Sequence, residues 1–114
     1  MDGSRTIVRL AELEIDPARL ESYKAALAEE IEVSVRIEPG VLSLSAVSLK
    51  DKPASIRILE IYADQQSYEK HLRAPHFVKY KSETADMLRS LTLFETVAIK
   101  LCAKSGDERS SDDL

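Results

Sequence analysis

VLSLSAVSLKDKPASIRILEIYA, residues 41–63, carries the reading on which the fold turns. Two apolar runs, residues 41–49 and 56–63, are joined by the charged turn Lys50-Asp51-Lys52-Pro53. Short apolar runs bounded by turn residues read as strands. In the first, Val41, Ser43, Ser45, Val47 and Leu49 face one way, and Leu42, Leu44, Ala46 and Ser48 the other. In the second, Ile56, Ile58, Glu60 and Tyr62 share one side, while Arg57, Leu59, Ile61 and Ala63 share the other. A sheet with one wet face alternates apolar with polar. This pair does not, so both its faces ask for cover.

Upstream, Glu38-Pro39-Gly40 ends a helix, because proline biases its predecessor away from helix and glycine permits a tight turn. The helix begins at Asp16-Pro17, where the aspartate can cap free amides and the proline fits the first turn. Leu20, Tyr23, Leu27, Ile31 and Val35 form its apolar stripe, leaving Glu21, Lys24, Glu29, Glu30, Glu32 and Arg36 for solvent. Residues 6–15 read as a further strand, with Ile7, Val8, Leu10, Ala11, Leu13 and Ile15 spread over both faces. Downstream, Asp64 caps a short helix to about Arg73, and Ala74-Pro75 interrupts it. A second helical stripe follows in Phe77, Tyr80, Thr84, Met87 and Leu88, and residues 91–101 form the last strand.

Strand, helix, strand, strand, helix, strand is the ferredoxin-like, split-βαβ order, an α+β antiparallel sheet with helices on one face. The other face then needs a partner, or it exposes a large apolar patch. Pairing two copies through their sheet faces predicts a homodimer, a dimeric α+β barrel.

The 114 residues fit one domain, expected over residues 5–101. Residues 103–114 are polar and charged and read as a disordered tail. The net charge of −4 has mixed signs, and tryptophan is absent. Neither an electrostatic footprint nor a stacking platform for nucleic acid is present. No apolar run is long enough to span a membrane, and no signal peptide is visible. A lone cysteine, Cys102, gives no internal disulfide, so the cytoplasm is the expected compartment.

Few residues offer chemistry. His71 and His76 are five apart with Pro75 between, whereas a helical metal pair needs four-residue spacing; no metal site is expected from them. The serines of residues 43–48 lack a glycine-flanked elbow or a neighbouring base. Three isolated glycines build no phosphate loop or dinucleotide motif. Glu60 is the odd residue of its strand, because a carboxylate among Ile58, Leu59 and Ile61 is costly to bury unless paired. With Tyr62 and a histidine of the following helix it can form a proton-handling pocket. It can equally pair with a surface lysine or arginine, with His71 on the helix surface.

Leu59-Glu60-Ile61-Tyr62-Ala63-Asp64, then Ser67-Tyr68-Glu69-Lys70-His71-Leu72, then Ala74-Pro75-His76-Phe77 and Tyr80, together resemble the antibiotic biosynthesis monooxygenase (ABM) domain. Glu38-Pro39-Gly40-Val41 matches that family's usual turn, and the resemblance covers about residues 5–101. It implies a dimeric ferredoxin-like fold with a small pocket between sheet and helices. It also implies a monooxygenase or quinol oxidase that needs no cofactor, with a small aromatic substrate and molecular oxygen as partners. By position, His71 would be the acid/base or anion-stabilising group and Glu60 would orient or assist it. Tyr62, His76, Phe77 and Tyr80 would line the pocket. The superfamily also holds isomerases, haem-degrading enzymes and proteins without a known reaction. The haem-degrading branch typically uses a tryptophan, which this chain lacks. An isomerase of a small hydroxy-carbonyl compound and a non-catalytic ligand-binding dimer stay open.

Overall fold

The computed structural model describes residues 5–104. Its elements run β1 (Ile7–Ile15), α1 (Leu20–Ile37), β2 (Val41–Leu49), β3 (Lys52–Tyr62), α2 (Gln65–Arg73), α3 (Pro75–Thr84) and β4 (Leu88–Thr96). The four strands form one antiparallel sheet in the order β2-β3-β1-β4. This is the ferredoxin-like α+β arrangement. Asp16 accepts from the Ala18 amide at 3.0 Å and starts a single 3₁₀ turn, Pro17–Arg19, before α1.

Four boundaries differ from the sequence reading. β3 begins at Lys52, which pairs with Leu49, so the turn is only residues 50 and 51. Pro53 is tolerated because pairing with β1 starts at Ser55, and the missing N–H costs no bond to β1. β4 begins at Leu88, opposite Ile15, rather than at residue 91. α3 stops at Thr84, whose hydroxyl donates to the Tyr80 carbonyl at 2.8 Å. Met87 and Leu88 therefore leave the helical stripe they were read into. Thr96 pairs with Val8 near the start of β1, and β4 ends there. Residues 97–101 continue without regular structure, with Val97 and Ile99 almost wholly exposed. Of the expected polar tail, residues 105–114 lie outside the described residues.

The core lies between the sheet and the helices. Ala11, Leu13, Ile15, Ile56 and Ile58 meet Tyr23, Leu27, Tyr80 and Met87. The hydroxyls of Tyr23 and Tyr80 share a 2.5 Å hydrogen bond that ties α1 to α3. On the opposite sheet face, Leu10 stands between Leu59 and Phe94, and Val8 is opposite Ile61. Leu59 and Phe94 are exposed. The rest of that face is mixed: Ser45 and the exposed Val47 stand on β2, and Arg57 Nε lies 3.5 Å from Glu12 Oε2. The outer face is thus an apolar patch beside an ion pair rather than apolar throughout. Among the described residues, no helix is long and apolar enough to cross a membrane.

In α1 the buried row is Tyr23, Leu27, Glu30 and Ser34, while Val35 is exposed. Glu30, read as solvent-facing, is only 5% exposed. Its spacing from Tyr23 and Leu27, seven and three residues, is that of a buried position and carried the signal.

Candidate functional site

A cavity of about 380 Å³ opens between the sheet and helices α2 and α3. Its walls are mainly aliphatic and aromatic, with Glu60, His71, Arg9 and Lys81 as ionisable members. A wider hollow of about 460 Å³ lies between α1 and β2, but its only ionisable groups are the exposed Lys24 and Glu32. Convergent polar groups in an apolar cavity mark a site better than volume does, so the first cavity is the candidate.

β3 presents Glu60 and Tyr62 to this cavity on the face shared with Ile58. Tyr62 Oη donates to Glu60 Oε1 at 2.7 Å. Burial pushes the Glu60 carboxyl up; the Tyr62 hydrogen bond and the charges of His71 and Arg9 offset only part of this, and its pKa stays above the ordinary value. Burial, with the adjoining Glu60 charge, also holds the Tyr62 phenol firmly protonated. Opposite Glu60 on β1, Arg9 places its guanidinium 4.8 Å from the centre of the Tyr68 ring.

α2 supplies His71. The helix starts where the Asp64 carboxylate accepts from the Ser67 amide at 2.8 Å. The His71 ring is 2% exposed and lies 5.4 Å from the Tyr62 ring and 4.6 Å from that of Phe77, between centroids. Its Nδ1 is 2.9 Å from Glu38 Oε2, and its Nε2 is 3.3 Å from Glu30 Oε1. Burial pulls the imidazole pKa down, but the hydrogen bonds and charges of Glu30 and Glu38 outweigh it, and the net shift is upward. Burial likewise pushes Glu38 up and its two histidine partners more than reverse that, leaving its pKa lowered.

Glu38 reaches His71 because the Glu38-Pro39-Gly40 turn is pressed against α2. A Cβ added at Gly40 would collide with the Ser67 side chain, and the Gly40 carbonyl accepts from the Ala63 amide at 2.9 Å. Glu38 also meets His76 of α3, Oε2 to Nε2, at 2.6 Å.

Glu60, Tyr62, His71, Phe77 and Tyr80 therefore line one cavity. His76 does not: it lies on the Glu38 side of His71. Glu60 makes no hydrogen bond to His71; the carboxylates that orient the ring are Glu30 and Glu38, which sequence reasoning missed. The two histidines do not share one helical face, since the break at Ala74-Pro75 starts a new helix, but that break turns His76 back towards Glu38, where the two rings meet one carboxylate. One donor atom each from Glu38, His71 and His76 lies within 4.8 Å of the others.

The family model described as antibiotic biosynthesis monooxygenase matches residues 6–83. Among solved structures, a protein from Bacteroides thetaiotaomicron, provisionally designated an antibiotic biosynthesis monooxygenase, is 49% identical; the match covers 90% of this chain and 97% of that one, with a TM-score of 0.86. A provisionally designated monooxygenase from Lactobacillus acidophilus is 28% identical over 82% of this chain and 44% of its own, with a TM-score of 0.79. A Nitrosomonas europaea protein at 19% identity, covering 83% of this chain and 91% of that one with a TM-score of 0.78, shares the fold. No curated protein matches the chain.

Proposed function

The chain belongs to the antibiotic biosynthesis monooxygenase family, and from that premise we propose that it is a monooxygenase or quinol oxidase. Its substrate is a small phenol or quinol, and the reaction runs without a bound cofactor. The observation that carries this reading is Glu60: a carboxyl with a raised pKa in a largely apolar cavity that His71 also lines. A base poised nearer neutrality accepts a phenolic proton more readily than an ordinary carboxylate. The volume of about 380 Å³ suits one small aromatic molecule.

In this reading the substrate's O–H proton passes to Glu60. The resulting anion is stabilised by His71, whose nitrogens are both engaged and whose role is therefore positive charge rather than proton shuttling. Arg9 and Lys81 add cationic character to the wall. The electron-rich anion then reduces dioxygen directly. Two electrons and two protons from a quinol give a quinone and hydrogen peroxide. Oxygen insertion instead leaves one oxygen atom in the product and releases the other as water. Tyr62, Phe77 and Tyr80 pack the ring and exclude water.

The same reading includes a homodimer, supported by the exposed Leu59 and Phe94 around Leu10 on the outer sheet face. It keeps the cytoplasm as compartment.

Oxygen uptake with a panel of hydroquinones and substituted phenols tests the proposal. A substrate should be found, and Glu60→Gln should lower its kcat by about 10²–10⁴-fold, the span of a positioned general base. Unchanged turnover in that variant would remove Glu60 from the mechanism. Turnover at an equal rate under nitrogen, with solvent deuterium entering the substrate, would replace oxidation with isomerisation.

A further inference from the structure

We propose that Glu38, His71 and His76 bind one divalent transition-metal ion, zinc foremost, behind the cavity wall. Three elements supply the donors: the residue that follows α1, the last turn of α2 and the first turn of α3. Glu38 Oε2 lies 2.9 Å from His71 Nδ1 and 2.6 Å from His76 Nε2. Imidazole nitrogen and carboxylate oxygen are the donors that zinc and its first-row neighbours accept. Bonds of about 2.0–2.1 Å to a tetrahedral ion set donors roughly 3.3 Å apart. To admit the ion, the two Glu38 contacts need to open by under about 1 Å, and the two imidazole nitrogens, within 4.8 Å of each other, to close by up to about 1.5 Å.

The surroundings of His71 fit a ligand. A metal-bound histidine almost always donates its other ring N–H to a carboxylate, a carbonyl or water, which fixes the tautomer. His71 Nε2 faces Glu30 Oε1 at 3.3 Å, and that oxygen also accepts from Ser34 Oγ at 3.0 Å. Glu30 and Ser34 are both buried. This chain of contacts turns Nδ1 towards Glu38 and His76. A simple ion pair would need one carboxylate for the imidazole, yet His71 has one at each nitrogen, and Glu38 engages a second imidazole as well. His71 is 2% exposed, but the side chains of Glu38 and His76 are 16% and 13% exposed. The ion therefore enters from their side and keeps a position for water.

The inference does not rest on the proposed reaction, since neither Glu38 nor His76 lines the cavity. With the ion bound, His71 Nδ1 carries no proton, and the ion supplies from the far side of the ring the positive charge that the imidazolium supplies without it.

The full chain, stripped with a chelator, is titrated with Zn²⁺ by calorimetry and with Co²⁺ by visible absorption. The expected result is one ion per chain, with a dissociation constant of about 10 μM or tighter, and the intense Co²⁺ bands of a tetrahedral site. Glu38→Gln and His76→Gln should each weaken binding at least about tenfold, and Glu30→Gln by about 10–100-fold. The Glu38 and His76 changes sit at the less buried ligands, and each variant is checked for an intact fold by circular dichroism before titration. No uptake by the folded wild-type chain at about 1 mM metal would overturn the proposal and leave the cluster as a hydrogen-bonded staple. Equal affinity in wild type and both ligand variants would overturn it too, because the ion would then sit elsewhere.

Discussion

Burial raises the Glu60 carboxyl above its ordinary value of 4.5, so the folded chain holds that proton more tightly than the unfolded chain. Below the unfolded value both states carry the proton and the group has no effect on stability. As the pH climbs through the folded value, the unfolded state ionises first and folding is progressively disfavoured. Glu60→Gln removes this penalty. The melting temperature of the variant relative to wild type should rise as the pH climbs above the ordinary value of 4.5; a difference that is flat with pH would show that Glu60 is not held as an acid. Tyr80→Phe strips the partner from the buried Tyr23 hydroxyl, whose own pKa burial pushes up to about 12. Leaving that group unpaired should cost about 1–3 kcal/mol in urea unfolding. Glu60, Tyr62 and His71 were legible in the sequence because a carboxylate in an apolar strand is conspicuous and the histidine sits in a recognisable motif. The contacts of Glu30 and Glu38 were not, although the spacing of Glu30 marks a buried position. Each reaches His71 across 33 residues or more of chain, and no local rule of spacing links a helix residue or a turn residue to an imidazole so far downstream.

The turn before β2 and the start of α2 behave as one mechanical unit. Gly40→Ala would drive a methyl group into the Ser67 side chain, and any shift of Ser67 moves the first turn of the helix that carries His71. A loss of about 1–3 kcal/mol is expected, the usual cost of overpacking. Adding Ser67→Gly should recover part of it, and urea unfolding of the four chains of that cycle measures the coupling. Asp64→Ala, which removes the cap from α2, should cost about 1 kcal/mol. At this scale the sequence was informative. The charged turn between β2 and β3, the caps at Asp16 and Asp64, and the break at Ala74-Pro75 all rest on local chemistry that residue type reveals. The ends of β3 and β4 rest on how far the neighbouring strand extends, which is a property of pairing. Leu88 therefore reads as helix by its periodicity, yet it joins the sheet because Ile15 is there to receive it.

For the whole molecule, the question is what covers the outer face of the sheet. If two copies meet there, an aspartate at position 59 places charge in the middle of the apolar row formed with Leu10 and Phe94. Wild type should sediment as a dimer at micromolar concentration and Leu59→Asp as a monomer; a monomeric wild type would end that part of the proposal. Residues 97–101 bear on the same question in another way. Val97, Ile99 and Leu101 alternate with Ala98 and Lys100 just past the last paired residue of β4, and the run joins no strand. Apolar alternation beside open backbone is the kind of segment that recruits stray chains into β-aggregates. It also leaves the Lys100–Leu101 bond open to trypsin in an isolated subunit. Clipping that slows as the protein is concentrated would mean that association shelters the segment, making the assembly its own safeguard against misfolding in a crowded cell.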